Sequence, residues 1–411
     1  MRASYPTYKS TSIPWLPEMP EHWDALKAKH IFKERSEKGY PNEPLLAATQ
    51  TKGVVRKEEY ETRTVTAQKD FHLLKLVKEE DFVISLRSFQ GGIEYAYHRG
   101  IISPAYTIFY EKNKVPVNKA FYRHLFKSHP FINSLTLFVT GIREGQNIDY
   151  AEFKDSLLPF PPLPEQTAIA NYLDAKTEQI NRFIEKKEKL IKSLREKIDV
   201  IVQSIEGEQL NDSKFWPTIP KTWKVEKAKR IFIERNIKNK SSEALLASTQ
   251  DRGVLPKDMC SENFVSPAGD LSGLKLVCEN DFVISLRSFQ GGIEYSPYRG
   301  IISPAYTIFN LREQYESPWM TQYYKYLFKT PQFISLLNTA ITGIRDGKNV
   351  NWVDFAELPI PIPTEDDVKM MMEDFIRFEE LVKVFEVEKQ KLNEFKNSLI
   401  AEVVTGKIKV A

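Results

Sequence analysis

Residues 81–95, DFVISLRSFQGGIEY, recur letter for letter at 281–295, and the match resumes with RGIISPAYTIF at 99–109 and 299–309. Across this 29-residue window only three positions differ: Ala96, Tyr97 and His98 stand against Ser296, Pro297 and Tyr298. The same offset of 200 relates KAKHIFKER (27–35) to KAKRIFIER (227–235), LLAATQ (45–50) to LLASTQ (245–250), and Trp23 to Trp223. It slips to 202 where TGIREGQN (140–147) meets TGIRDGKN (342–349), and returns to 200 at LPFPPLP (158–164) and LPIPIPT (358–364). A period this long is no solenoid unit. The 411 residues therefore read as one architecture made twice, each copy followed by an appendage.

The appendage is helical in both copies. From Glu165 to Ile205 there is neither proline nor glycine. A seam runs through Leu173, Thr177, Ile180, Ile184, Lys187, Ile191, Leu194, Ile198, Ile201 and Ile205, stepping alternately by four and three. That alternation keeps one stripe facing a partner helix, as in a coiled coil. The proline-rich LPFPPLP ahead of it is a start signal. The second copy, from Glu365, carries Phe378, Leu381, Phe385, Leu392, Phe395, Leu399 and Val403 on a similar seam and ends near Gly406. Each helix would reach about 60 Å. A buried bundle helix, or a coiled coil joining two chains, would account for one such seam. Because one chain supplies both, the expectation is that they pack antiparallel on each other as core, with no chemistry of their own.

Each globular copy reads as mixed α/β. The segments 82–86 and 101–109 are strand-like, 118–135 is helical with a break at Pro130, and Gly91-Gly92 marks a tight turn or a close backbone approach. The fold class expected is α+β: two homologous α/β domains, 1–164 and 207–364. Two long antiparallel helices, 165–206 and 365–411, join them as a coiled-coil spacer with pseudo-two-fold symmetry. The net charge of +3 conceals an unequal distribution. Residues 1–164 hold 23 basic and 19 acidic groups, residues 207–364 hold 19 and 17, and the second helix holds 8 against 11. The small basic excess lies on the globular copies, where contact with a polyanion would be made. No apolar run approaches the ~20 residues that span a bilayer, and the start, Met1-Arg-Ala-Ser-Tyr-Pro, lacks the apolar core of a signal peptide. Cys260 and Cys278 form no metal-ligand pattern. A reduced, cytoplasmic protein without membrane or structural metal is expected.

Catalytic motifs are missing. All six histidines (His22, His30, His72, His98, His124 and His129) fall in the first copy, so none belongs to a site that both copies share. No glycine-rich dinucleotide loop or nucleophile elbow is present, and Gly343-Ile-Arg-Asp-Gly-Lys-Asn is one residue short of a phosphate loop. What the copies share at loops is of another kind: Gln50/Gln250, Arg87/Arg287, Ser88/Ser288, Gln90/Gln290, Tyr95/Tyr295, Arg99/Arg299, Arg143/Arg345 and Asn147/Asn349. These are donors and acceptors suited to base edges and phosphates. Gly91-Gly92 and Gly291-Gly292 would let a backbone amide approach a phosphate. The competing reading is that these residues hydrogen-bond the fold's own loops. As a set on paired domains with no catalytic kit they favour a recognition surface. A coiled-coil adaptor that binds proteins without reading bases is the alternative.

MPEHW (19–23) with IPKTW (219–223), the SLRSFQGG…GIISPAY block, LPFPPLPEQTAIANYLD (158–174) before a long helix, and VVTGKIKV (403–410) together resemble the specificity subunit of type I restriction-modification systems. The second copy departs from the pattern with PIPTED in place of PLPEQ, which leaves the start of its helix open. The resemblance implies two target-recognition domains, each reading half of a bipartite double-stranded DNA site across a spacer that sets the gap. It implies a subunit that is itself non-catalytic and binds no cofactor. Two methyltransferase subunits carrying S-adenosylmethionine, and two restriction subunits using ATP and Mg, would dock on it. The chain indeed lacks the N/D-P-P-Y/F/W motif of adenine methylation; Phe160-Pro161-Pro162-Leu163 has neither its polar start nor its aromatic end. Members commonly carry two dissimilar recognition domains. Here the copies are nearly identical, which predicts a gapped, near-palindromic target.

Overall fold

The computed structural model describes residues 4–59, 70–86, 88–135, 139–140, 147–148, 150–202, 214–217, 219–250, 252–260, 270–286, 288–339 and 350–410; of 89, 139, 140, 147 and 289 only the backbone is described. The chain forms two compact units, Met1–Lys186 with Val387–Ala411, and Lys187–Glu386. The architecture is mixed α+β: each unit is β-rich, the sheet pattern repeats, and two long helices complete the cores.

In the first unit an antiparallel sheet orders Phe32–Arg35, Thr107–Glu111, Phe82–Ile84 and Glu94–Tyr95 side by side. Its counterpart orders Phe232–Arg235, Thr307–Leu311, Phe282–Ile284 and Glu294–Tyr295. Phe82, Val83 and Ile84 are all buried, so this strand is covered on both faces, which explains its uninterrupted apolar run. On one face Phe32, Phe82, Phe109 and Phe126 pack together, edge-to-face for Phe32–Phe109 (centroids 5.2 Å apart) and Phe82–Phe126 (5.1 Å) and stacked for Phe82–Phe109 (5.4 Å). The stretch 101–109, read as one strand, is two, Gly100–Ile102 and Thr107–Glu111, separated by a turn at Pro104. The helical stretch 118–135 breaks where proline requires it, into Lys119–Phe126 and His129–Ser134, with Pro130 in the first turn of the second helix.

Asp24–Lys27 pairs with Leu157–Phe160, bringing the two ends of the globular part together just before the first long helix; Lys224–Lys227 and Pro359–Ile362 do the same in the second unit. The long helices span Leu163–Ile201 and Glu365–Val404. The first therefore begins two residues before Glu165. Residue 205, placed on its seam from the sequence, lies outside the described residues.

Within the first unit, Ile169, Ala170 and Leu173 of the first helix share a core with Leu399, Val403 and Val404 of the second, and Lys396 Nζ donates to Asn181 Oδ1 at 2.9 Å. Within the second unit, Ile198 and Val202 share a core with Val368, Met371, Met372 and Phe375, and Lys187 Nζ sits 4.4 Å from the Phe385 ring centroid. In each unit rising numbers on one helix meet falling numbers on the other, so both pairings are antiparallel. Leu173, Ile180, Ile191, Ile198 and Leu399 are buried, and Ile184, Leu194, Phe378, Phe385 and Leu392 are half-buried. Leu381 and Phe395, expected on the seam, are 37% and 46% exposed. Val382 and Lys396 are half-buried in their place.

Candidate nucleic-acid interface

Of the shared polar residues, Gln50, Ser88 and Gln90, with Gln250, Ser288 and Gln290 in the second unit, lie where three segments meet: a hairpin turn, a one-turn helix and the end of a longer helix. The hairpin joins Leu46–Thr49 to Gly53–Arg56, and its second copy joins Leu246–Thr249 to Gly253–Pro256. Thr49 Oγ1 donates to the Gly53 carbonyl at 2.9 Å and closes the turn. Gly53 has φ 76°, and a Cβ there would come within 2.6 Å of the Tyr95 carbonyl oxygen. The turn thus lies directly over the sheet's edge strand, exposing Gln50 beside Lys52, and Gln250 beside Arg252.

The QGG segment begins as a one-turn helix, Ser88–Gly91, and Ser288–Gly291 in the second unit. Gly92 and Gly292 have φ of 80° and 78°, and a Cβ would fall 2.2 Å from the Phe126 carbonyl oxygen or 2.0 Å from that of Phe328. Within the chain the backbone of Gly92 and Gly292 thus closes on these carbonyls, and their amides donate to the Ser88 and Ser288 carbonyls at 2.7 and 2.8 Å. Gly91 lies beneath Gln50, where a Cβ would meet the Gln50 side chain at 2.8 Å; in the second unit Gly291 leaves 3.4 Å to Gln250. Ser88 and Ser288 are buried, and each hydroxyl accepts the Ser85 or Ser285 N–H at 2.8 Å. Their hydroxyls brace the loop from inside. Gln90 and Gln290, by contrast, are exposed, as are Leu86 and Leu286 four positions earlier.

Tyr95 and Tyr295 are half-buried. The Tyr95 ring packs against Phe82 and Tyr97 with centroids 5.5 and 5.2 Å away, and burial pushes its hydroxyl up to about 12, so it stays protonated. Tyr295 Oη donates to Asn280 Oδ1 at 2.7 Å. Arg99 and Arg299 are engaged elsewhere, through Nε, with Glu43 at 2.7 Å and Glu243 at 2.9 Å. Arg87, Arg287, Arg143, Arg345 and Asn349, and the side chain of Asn147, lie outside the described residues, as does most of the divergent stretch 55–72 against 255–272.

Sequence reasoning missed the group at the centre of this junction. Lys127, just past Lys119–Phe126, donates from Nζ to the Gln50 carbonyl (3.1 Å), the Gly91 carbonyl (2.8 Å) and Glu94 Oε1 (2.7 Å). Lys329 does the same with the carbonyls of Gln250 (3.3 Å) and Gly291 (2.9 Å) and with Glu294. Desolvation raises the Glu94 carboxyl to about 7, although Lys127 pulls it the other way. The signal was present as LFK at 125–127 and 327–329, and as Glu94 and Glu294 inside the identical block.

The three positions at which the repeated block differs follow the edge strand directly and, in the first unit, run beside the hairpin's second arm, where the Tyr97 N–H donates to the Val54 carbonyl at 3.3 Å. Ala96 and Ser296 are buried. Exposed Tyr97 lines a polar groove of the first unit with Arg123, His124 and Asp174, where the His124 ring nitrogen Nε2 is 2.7 Å from Asp174. His98 lies 3.6 Å from Glu59, and Tyr298 Oη lies 3.9 Å from the Met259 sulfur. Among the described residues no cluster of His, Cys, Asp or Glu could hold a metal ion, and no helix is long and apolar enough to cross a membrane.

No family model matches the chain. It is 22% identical over 438 residues, 98% of this chain and 97% of the relative, to the "Putative type I restriction enzyme MjaX specificity subunit" of Methanocaldococcus jannaschii. In fold it is similar to a solved chain described under "complex assembly and conformational transition of the type I R-M system", with a TM-score of 0.61 at 13% identity over 94% of this chain and 98% of that one. The HsdS subunit from Thermoanaerobacter tengcongensis matches at a TM-score of 0.43 and 14% identity over 95% of this chain and 98% of that one. The likeness to the relative runs the length of the chain and falls on the kind of protein that the PLPEQ and GIISPAY segments resemble.

Proposed function

We propose that this chain, similar end to end to a type I specificity subunit, is the non-catalytic DNA-reading subunit of such a complex, with each unit reading half of a bipartite site. One observation carries the reading: both units present the same exposed glutamines, Gln50 with Gln90 and Gln250 with Gln290, on the same internally braced junction. A glutamine amide matches the N6/N7 edge of adenine in the major groove with two hydrogen bonds. Lys52 and Arg252 at the hairpin tips supply cations for neighbouring phosphates.

Like readers imply like half-sites, so the target is gapped and near-palindromic, the two long helices setting the gap. Catalysis and its cofactors then reside on partners: methyltransferase subunits with S-adenosylmethionine, and restriction subunits with ATP and Mg, in the cytoplasm with the genome. Residues 96–98 and 296–298, which directly follow the edge strand, are the place where the half-sites would diverge by a base or two.

Sequencing methylated bases in the host genome tests this directly. The expected motif has two similar half-sites on opposite strands; two unrelated half-sites would sink the palindromic part. Arg87→Ala with Arg287→Ala is expected to abolish sequence-specific binding of duplex DNA, in the presence of the methyltransferase partner, while circular dichroism and the unfolding midpoint stay as in the wild type. Wild-type affinity for the target in that double variant would return both arginines to a purely structural role.

A further inference from the structure

We infer that Lys127 with Glu94, and Lys329 with Glu294, are positioning residues for base readout, clamps that fix the two exposed glutamines of each unit relative to one another. The inference rests on the DNA-reading function proposed above and deepens it.

An ammonium has three N–H donors, and in Lys127 each goes to a different segment: the hairpin turn through the Gln50 carbonyl, the one-turn helix through the Gly91 carbonyl, and the sheet through Glu94. Glu94 is 1% exposed, and its strand is registered on Phe82–Ile84, so the carboxylate is fixed from the core side. The lysine transmits that fixed position outward to the carbonyl of Gln50 itself and to the residue that follows Gln90. The second unit repeats every one of these contacts.

Stability is a poor explanation for such a group. A buried ion pair gains little over apolar side chains of similar size, because desolvation of both charges offsets their attraction. Counted back from the two lysines, KAFYRHLF (119–126) and TQYYKYLF (321–328) differ at five of eight positions, while the LF directly before each lysine and the lysine itself are kept. What the clamp does supply is geometry. A glutamine recognises adenine by two hydrogen bonds only if its backbone is held in register with the groove, and a loop that drifts by an ångström loses that pairing.

The test uses the full chain with its methyltransferase partner and three duplexes: the host's methylated motif, the motif with one half-site scrambled, and the motif with both scrambled. The first variant is Lys127→Met with Glu94→Gln, which removes both charges together and leaves none buried alone. The wild type should discriminate at each step of the series. The variant should lose about ten-fold of the preference for the intact motif over the singly scrambled duplex, while still preferring the singly over the doubly scrambled one. A variant that is merely less folded binds all three duplexes less in equal proportion, and unchanged ratios would overturn the inference. Should the first pair of substitutions prevent folding, Lys329→Met with Glu294→Gln puts the same question to the second unit. A wild type that fails to distinguish the three duplexes would instead remove the DNA-reading function, and the clamp's role with it.

Discussion

A methyl group on Gly92 would stand 2.2 Å from the Phe126 carbonyl oxygen, in a backbone conformation of φ 80° that side chains disfavour. Both penalties act together, so Gly92→Ala is expected to cost about 2 kcal/mol or more, read as a lower urea midpoint. Gly291, with 3.4 Å of clearance, should tolerate alanine far better than Gly292. A second residue-scale expectation concerns protons. Burial raises the Glu94 carboxyl to about 7 and the Asp281 carboxyl to about 6. The unfolded chain releases these protons at the ordinary carboxyl values of 4.5 for Glu94 and 3.8 for Asp281. Between those limits the folded chain binds more protons, so its stability falls as pH rises from about 4.5 to about 7. Glu94→Gln should remove its share of that fall, on the order of 3 kcal/mol. Urea midpoints measured across the window, wild type against variant, would show parallel curves if Glu94 played no part.

At the scale of elements, the two long helices illustrate how far a pattern goes. Apolar residues every three and four positions determine that a seam exists. They do not determine whether the step from Phe378 is three, to Leu381, or four, to Val382, because both routes arrive at Phe385. The structure takes the four-residue step there and again from Leu392 to Lys396, leaving Leu381 and Phe395 exposed. A lysine can occupy a seam because its stem is apolar and its charge reaches a neighbour, as Lys396 reaches Asn181 and Lys187 the Phe385 ring. The Lys187–Phe385 contact also shows which heptads correspond. Deleting 184–190 together with 382–388 should preserve both pairings and shorten the helices by about 10 Å. Methylome sequencing of a strain carrying the deletion is then expected to return unchanged half-sites with a gap shorter by about three base pairs. Altered half-sites at an unchanged gap would show that the helices are not the ruler.

At the scale of the whole molecule, the duplication is legible in the sequence, because identical sequences under identical physical chemistry form the same sheets. Exchanging Ser296, Pro297 and Tyr298 for Ala, Tyr and His would make the repeated blocks identical. The methylated motif is then expected to become more symmetric; a motif unaffected by the exchange would place specificity in the divergent 55–72 and 255–272 stretches instead. By itself the sequence determined the two-fold repetition, the two helices and a set of polar residues that both copies share. It could not decide which of those residues face outward. Ser88 and Gln90 are two positions apart in one identical block, yet the first is buried as a loop brace and the second is exposed. Nor could it reveal Lys127, whose three acceptors lie 33, 36 and 77 residues away along the chain. Periodicity records only which side of its own element a residue occupies. Whether that side meets solvent, a carbonyl or a carboxylate depends on which distant segments fold against it, and that is decided by tertiary packing.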